Sequence, residues 1–305
     1  MWFKNLFIYR LHGAAQIDAG ELSKALESQA MRPLHGNESR RMGWVPPAGR
    51  CSSQVLHELQ GHRLMTAVRK ERILPSSVVN EELADRSGAI EASENRKLMR
   101  REKAAIKEQV YEELLPRAFV RRQSSDVWWD TERQLIAINT GSRTRAEEVL
   151  DLLRETLGSL KVTPLSSQTL PMRAMTTWLI DPASRPADMQ IGDSVVLKDK
   201  GDDGVLRGRQ LDLDSDEMHQ HLEVGRQASQ LALSIEGQIS FVLHDDLALK
   251  SLRFDDAVID KANDADDGDD QVARIETDFF LMAQALRASI EQLIEWLDGE
   301  AEQCT

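Results

Sequence analysis

The sequence predicts an α+β fold, with antiparallel sheets and packed helices around a protruding basic helical tip. Three observations carry that expectation. Strand-like and helix-like runs follow one another in mixed order, without the regular strand–helix alternation of a doubly wound sheet. No short-period repeat is present. One long helix-forming stretch, Arg96 to Arg122, stands between two groups of strands and is far more basic than its surroundings.

Taken in order, Met1 to Leu11 alternates as a strand, with Trp2, Leu6 and Ile8 on one side. Asp18 to Met31 reads as a helix with Leu22 and Leu26 inward, stopped by Pro33 and Gly36. Met42 to Gly49, MGWVPPAG, is expected to be a rigid turn-rich connection. His62 to Val68 reads as a strand running into Arg69, Lys70 and Arg72, closed by Ile73-Leu74-Pro75. Ser76 or Ser77 is placed to cap a short helix. The helix-forming residues that follow then predict a helix from about Glu94 to Leu115. Pro116 stops it and leaves Arg117, Phe119, Arg121 and Arg122 at its tip.

Two short strands follow, Val127 to Asp130 and Gln134 to Asn139. Next comes a helix from Arg143 to Leu157 that ends at Gly158. Val162 to Leu165 is extended, and Pro171 to Leu179 forms a short helix. Strands are expected at Ser194–Leu197 and Val205–Leu211, a capped helix at Asp216–Arg226, and strands at Ala228–Ile235, Gln238–His244 and Ala248–Phe254. Asp255 to Asp270 reads as an acidic loop. An amphipathic helix from Ile275 to Leu297 closes the fold. These elements group into a central domain (1–75 and 125–165), a helical tip (76–124) and a C-terminal base (166–305).

At 305 residues and 41% hydrophobic, the chain has enough apolar side chains for one to three domains. No run of about 18 apolar residues suggests a membrane span. The N-terminus lacks the basic lead and cleavage site of a signal peptide. Cys51 and Cys304 make no metal-type pair, which fits a reducing, cytoplasmic setting.

The net charge of −13 is unevenly spread. Asp255 to Thr305 holds fifteen acids and three bases, so the other 254 residues are nearly neutral. Local patches therefore decide whether a polyanion can dock. Arg96 to Arg122 has nine bases against four acids, and on a helix Arg96, Arg100, Lys103 and Lys107 share a face. Arg40 to Arg72 has seven bases against two acids, and Arg143/Arg145 and Arg207/Arg209 add smaller clusters. None has the spacing of a zinc finger, a basic zipper or an RNA-recognition motif, so phosphate contact without base readout is the expected mode.

Catalytic patterns are weak. The histidines of HELQGH, His57 and His62, are five apart rather than the four a zinc helix needs, and read as surface residues. Asp212 to Glu217 echoes a calcium loop but has Glu217 where the turn glycine belongs, so it reads as a capped helix start. Asp245-Asp246 could hold Mg²⁺ for a nuclease, although a turn uses aspartates in the same way. Phosphate-binding glycine loops are absent. Trp128-Trp129 alternate on a strand, which puts at least one of them in the core.

Several long stretches resemble the bacterial RdgC family of recombination-associated, nucleoid-linked DNA-binding proteins. They are MWFKNL (1–6), MGWVPP (42–47), KERILPSSVV (70–79), RKLMRREKAAIKEQVYEELLPRAF (96–119), LLRETLGSLKVTPL (152–165) and TDFFLMAQAL (277–286). The resemblance implies a homodimer closed into a ring around double-stranded DNA; whether single-stranded DNA is also bound is left open. Such a ring has little sequence preference, no catalytic residues, no cofactor and no metal. It restrains RecA-type recombinases and bears on replication-fork repair. Whether the recombinase is touched directly is left open. Carried onto this chain, the DNA-lining candidates are Lys70, Arg72, Arg96, Lys97, Arg100, Arg117 and Arg121, and Phe119 is the candidate subunit contact. Arg209 is a further DNA candidate, in a stretch less basic than the family implies. The remaining alternative is an adaptor that binds a partner through its acidic C-terminal segment.

Overall fold

The computed structural model describes residues 2–13, 17–199, 204–264 and 270–301. The fold is α+β, with eight α-helices and one large antiparallel sheet of twelve strands among those residues.

The N-terminal half contributes β1 (Leu6–Leu11), β2 (Arg40–Val45), β3 (His57–Leu59), β4 (His62–Ile73), β5 (Phe119–Asp130), β6 (Leu135–Asn139) and β7 (Val162–Pro164). The C-terminal half contributes β8 (Met189–Lys198), β9 (Val205–Gly208), β10 (Gln227–Ile235), β11 (Ile239–His244) and β12 (Leu249–Phe254). Their order is β2-β4-β5-β6-β1-β12-β11-β10-β8-β9, with β3 on β4 and β7 on β1. The halves meet where Leu6 of β1 pairs with Leu249 of β12.

The helices are α1 (Ala19–Ser28), α2 (Ser76–Glu94), α3 (Arg100–Leu114), α4 (Arg143–Leu157), α5 (Pro171–Ile180), α6 (Asp216–Glu223), α7 (Asp256–Asp264) and α8 (Gln271–Trp296). Strand alternation sends successive side chains to opposite faces, which splits the core in two. On one face Phe7, Met65, Val127, Trp129 and Ile138 pack beneath α1 and α4. On the other, Ile8, Leu64, Trp128 and Leu249 join the apolar faces of α5, α6 and α8. Both Trp128 and Trp129 are therefore buried, one in each cluster, each worth several kcal/mol of packing to the fold (about 3–5 on truncation).

Helix ends follow their local chemistry. The Asp18 side chain accepts from the Gly20 N–H at the start of α1, and Asp270 accepts from Val272 and Ala273 at the start of α8. Gly158 closes α4 at φ 76°, in the left-handed region where glycine carries no Cβ penalty.

Five expectations need correction. Met42 to Gly49 is not all turn: Arg40–Val45 pairs along β4, and Gly43 is needed because a Cβ there would stand 2.8 Å from the Met31 Cα. The short helix expected after Ser76 runs nineteen residues, Ser76–Glu94, and the helix expected from about Glu94 to Leu115 starts later, so the two form a hairpin. Asn95 takes a left-handed conformation, φ 48°, that ends α2, and α3 begins only at Arg100. Pro116 stops α3 as expected, but the chain then enters the twelve-residue strand β5, so Phe119 to Arg122 lie at the hairpin's base. His57 and His62 are buried, not on the surface, because β3 and β4 fold over one another beneath α8. Part of the acidic loop, Asp256–Asp264, is helical, while 265–269 lie outside the described residues.

Candidate nucleic-acid interface

Arginines and lysines gather at the outer ends of β2, β4 and β5. The register sets Arg41 opposite Lys70, and Lys70 opposite Arg122. Directly opposed residues share a sheet face, with strands about 4.8 Å apart, so the three cations form a row across one face. One residue along, Arg40, Glu71 and Arg121 form the corresponding row on the other face.

The two faces differ electrostatically. On the face covered by α4, Arg69 pairs with Glu71 (3.1 Å) and with Glu148 (2.9 Å), Arg40 approaches Glu148 at 3.5 Å, and Arg121 pairs with Glu71 at 3.1 Å. Burial opposes ionisation of Glu71, but Arg121 and Arg69 hold its carboxyl below the usual range. On the opposite face Arg41 pairs with Glu38 at 3.1 Å. The His35 N–H, Arg32 and Arg41 pull the Glu38 carboxyl down to about 2. Lys70 and the exposed Arg122 make no ion pair among the described residues.

Arg72 sits next in the same alternation but is otherwise engaged. Its Nε donates to the Glu38 carbonyl (3.2 Å), and its Nη1 donates to the carbonyls of Leu115 (3.2 Å) and Pro116 (2.7 Å). Its charge faces the short turn just past the C-terminal end of α3, where the Leu115 carbonyl also accepts from the Ala118 N–H (3.1 Å).

The hairpin places the remaining candidates. Arg96 and Lys97 lie in its turn, not on a helix. Arg96 is held by Glu94 and by Glu102, each at 2.7 Å, which pushes the guanidinium pKa further up. Lys97 reaches Glu91 at 2.9 Å, although its side chain is 92% exposed. The Leu98 N–H, Lys97 and Lys103 hold Glu91 at about 2. Arg100 and Lys107 are exposed on one side of α3 and make no ion pair among the described residues. The expected basic ridge is nevertheless diluted. α2 brings Glu81, Glu82, Asp85, Glu91 and Glu94 beside it, so Ser76 to Arg117 as a whole holds nine acids and eight bases.

Arg117 is exposed in the short turn after α3, and Phe119, 88% exposed, begins β5 opposite Ile73. Arg209 is not brought to this group. It follows β9 at the opposite end of the strand order, on the rim of an open trough of about 700 Å³ that Arg253 also lines. Arg41 and Arg122, which lie in the basic stretches but outside the site candidates, are the residues the sequence reading missed. The strand alternation from Arg69 to Arg72 was the signal, but their pairing needed the register.

The other patterns serve the fold. Trp128 Nε1 donates to His62 Nδ1 at 3.2 Å, and Glu276 meets His57 Nδ1 at 2.8 Å. Burial, reinforced by the nearby Arg287 charge, pushes the His62 imidazole below its ordinary value. Asp245 pairs with Lys198 at 3.0 Å, and Asp246 accepts from the Ala248 N–H and lies 3.8 Å from Arg143. Asp214, in the calcium-like run, pairs with Arg185.

Comparison with known proteins adds two findings. A family model described as "Putative exonuclease, RdgC" matches residues 1–300. Two proteins called "Recombination-associated protein RdgC", from Yersinia pestis (strain Pestoides F) and Serratia proteamaculans (strain 568), are each 39% identical over 303 residues, 99% of both chains.

Proposed function

Because this chain belongs to the RdgC family, we propose that it binds double-stranded DNA without sequence preference, as a homodimer closed around the duplex. On this reading it restrains RecA-type strand exchange by occupying the duplex, acts at replication forks, and works in the cytoplasm on the nucleoid. It makes and breaks no covalent bond and needs no cofactor.

The observation that carries the reading is the row Arg41–Lys70–Arg122. Like charges directly opposed across strands destabilise a sheet. Here two of the three have no ion partner among the described residues, so a phosphate backbone laid across the row offsets that repulsion and releases counterions. Side chains on a flat strand end can meet phosphates at any sequence, which matches the lack of a base-reading motif. The acidic C-terminal fifth would face away from the DNA.

The test is binding to unrelated linear, end-blocked and circular duplexes across a salt series. Similar affinities for all sequences, a steep salt dependence, and salt-resistant retention on circular and end-blocked duplex support an encircling binder. Rapid loss from circles at the same rate as from open-ended duplex would remove encirclement.

A second reading is a Mg²⁺-dependent exonuclease, which the family description favours. Asp245 and Asp246, the carboxylates considered for it, are engaged by Lys198 and Arg143. End-labelled duplex incubated with Mg²⁺ or Mn²⁺ separates the two: intact DNA supports the binder, and stepwise shortening that Asp245→Asn and Asp246→Asn abolish supports the nuclease.

A further inference from the structure

The helical hairpin is joined to the sheet in an unusual way. α2 and α3 pack chiefly on one another, through Val79 and Val110 on their inner faces. No side chain of the hairpin belongs to either buried core cluster among the described residues: Leu115 is buried at its base, but Ile73, Val78, Phe119 and Val120 around it are exposed. Two short connectors, each containing a proline (Pro75 and Pro116), link the hairpin to β4 and β5. Without a shared core, little apolar burial resists a swing about those connectors.

One polar group spans the joint. The Arg72 guanidinium belongs to β4, yet it donates to Leu115 and Pro116 at the end of α3 and to Glu38 in the loop before β2, while its own N–H donates to Ser39. It thus ties three segments that are distant in sequence. No carboxylate competes for it among the described residues, and the carbonyls it meets lie in the turn just past the negative C-terminal end of α3. A planar fork can bridge divergent carbonyls in this way, whereas an ammonium cannot hold the same geometry.

We infer that Arg72 is a positioning residue: it locks the angle of the α2–α3 hairpin against the β2–β4–β5 sheet end. It thereby sets where Arg100 and Lys107 stand relative to the Arg41–Lys70–Arg122 row, and it is not itself a phosphate contact. The inference rests on the proposed duplex binding only for its consequence, since the lock is a property of the free protein.

The test uses the full chain with Cys51→Ser and Cys304→Ser, spin-labelled at Ala92→Cys on α2 and Glu155→Cys on α4. Pulsed electron spin resonance reads the distance between the labels without DNA, in the parent and with Arg72→Lys or Arg72→Gln. With labelled chain diluted in excess unlabelled chain, so that only distances within one protomer are read, the expected result is one narrow distance in the parent and a broadened, shifted distribution in both variants, with unchanged far-ultraviolet circular dichroism. An unchanged distribution in both folded variants would overturn the lock, whatever the protein binds. In duplex titrations both variants should weaken binding with the salt slope preserved. A slope lower by about 0.9 in Arg72→Gln and restored in Arg72→Lys would make Arg72 a direct phosphate contact instead. Should Arg72→Gln fail to fold, the distances in Arg72→Lys decide alone. Failure of the parent to bind duplex would sink the proposed function and leave the distance result standing.

Discussion

Lys70 and Arg122 illustrate how much one residue's worth depends on its neighbours. Both face a like charge across a strand pair and make no ion pair among the described residues, whereas Arg121, next to Arg122 in sequence, turns to the other face and meets Glu71. Reversing Lys70 and Arg122 together, Lys70→Glu with Arg122→Glu, should weaken binding to every duplex sequence alike. It should also lower the salt slope by about 2, because two phosphate contacts are lost. Loss confined to certain sequences would contradict this. The same reasoning orders the hairpin residues. Arg96 is already held by Glu94 and Glu102, while Arg100 is free among the described residues. Titration of labelled duplex should therefore find Arg100→Glu more damaging than Arg96→Glu. Equal effects would mean that Arg96 leaves its acids when DNA arrives.

At the scale of elements, α8 is the strut that fastens the β3–β4–β5 end to the C-terminal half. Its Arg287 donates to the fully buried Asp130 through Nε (2.6 Å) and Nη2 (2.8 Å), and to Glu132 through Nη1 (2.7 Å). Asp130 also accepts from the N–H groups of Glu132 and Arg133. Removing Arg287 strands the buried charge of Asp130, so Arg287→Ala should cost about 3–5 kcal/mol in urea unfolding. Arg133→Ala, which loses only an exposed pair with Glu291, should cost at most about 1 kcal/mol. Comparable losses would show that the buried pair contributes no more than the exposed one.

The same joint predicts a pH dependence. The folded-state pKa of His62 lies below its unfolded value, so the unfolded chain takes up the proton first. The stability associated with neutral His62 is complete above the unfolded pKa of about 6.5 and is lost as pH falls below it. His244 is shifted the same way by its burial and then by Lys250, so it adds to the slope. Urea midpoints should drop between pH 7.5 and 5.5, and less steeply in His62→Gln, whose amide can still accept from Trp128. An identical slope in that variant would assign the effect elsewhere.

At the scale of the whole molecule, one sheet runs from the cationic strand ends of β2, β4 and β5 to the distant edge at β9. Arg209 and the Lys70 group therefore lie far apart in strand order and would touch one duplex only if the protein curves around it. For the proposed homodimer the exposed Phe119, with Ile73 opposite it, is the candidate subunit contact. Phe119→Ala should shift the dimer toward monomer in sedimentation velocity and shorten retention on circular DNA. Neither changing would remove Phe119 from the closure. Among the described residues no helix is long and apolar enough to cross a membrane.

The sequence by itself determined what depends on local chemistry. The Arg143–Leu157 helix and its Gly158 stop, the strands from Gln227 to Phe254, and the amphipathic period of α8 were all legible, because periodicity and caps act within a few residues. The mixed order of elements gave the fold class, and the long shared stretches gave the family. Tertiary structure decided the rest. Only the hairpin packing brought the acids of α2 beside the bases of α3, which turned an apparent basic ridge into a nearly neutral arm. Only the register aligned Arg41, Lys70 and Arg122, since cross-strand partners 29 and 52 residues apart leave no local pattern. And only the folded chain turned Arg72 from one more cation in a basic run into the group that closes on the carbonyls of Leu115 and Pro116.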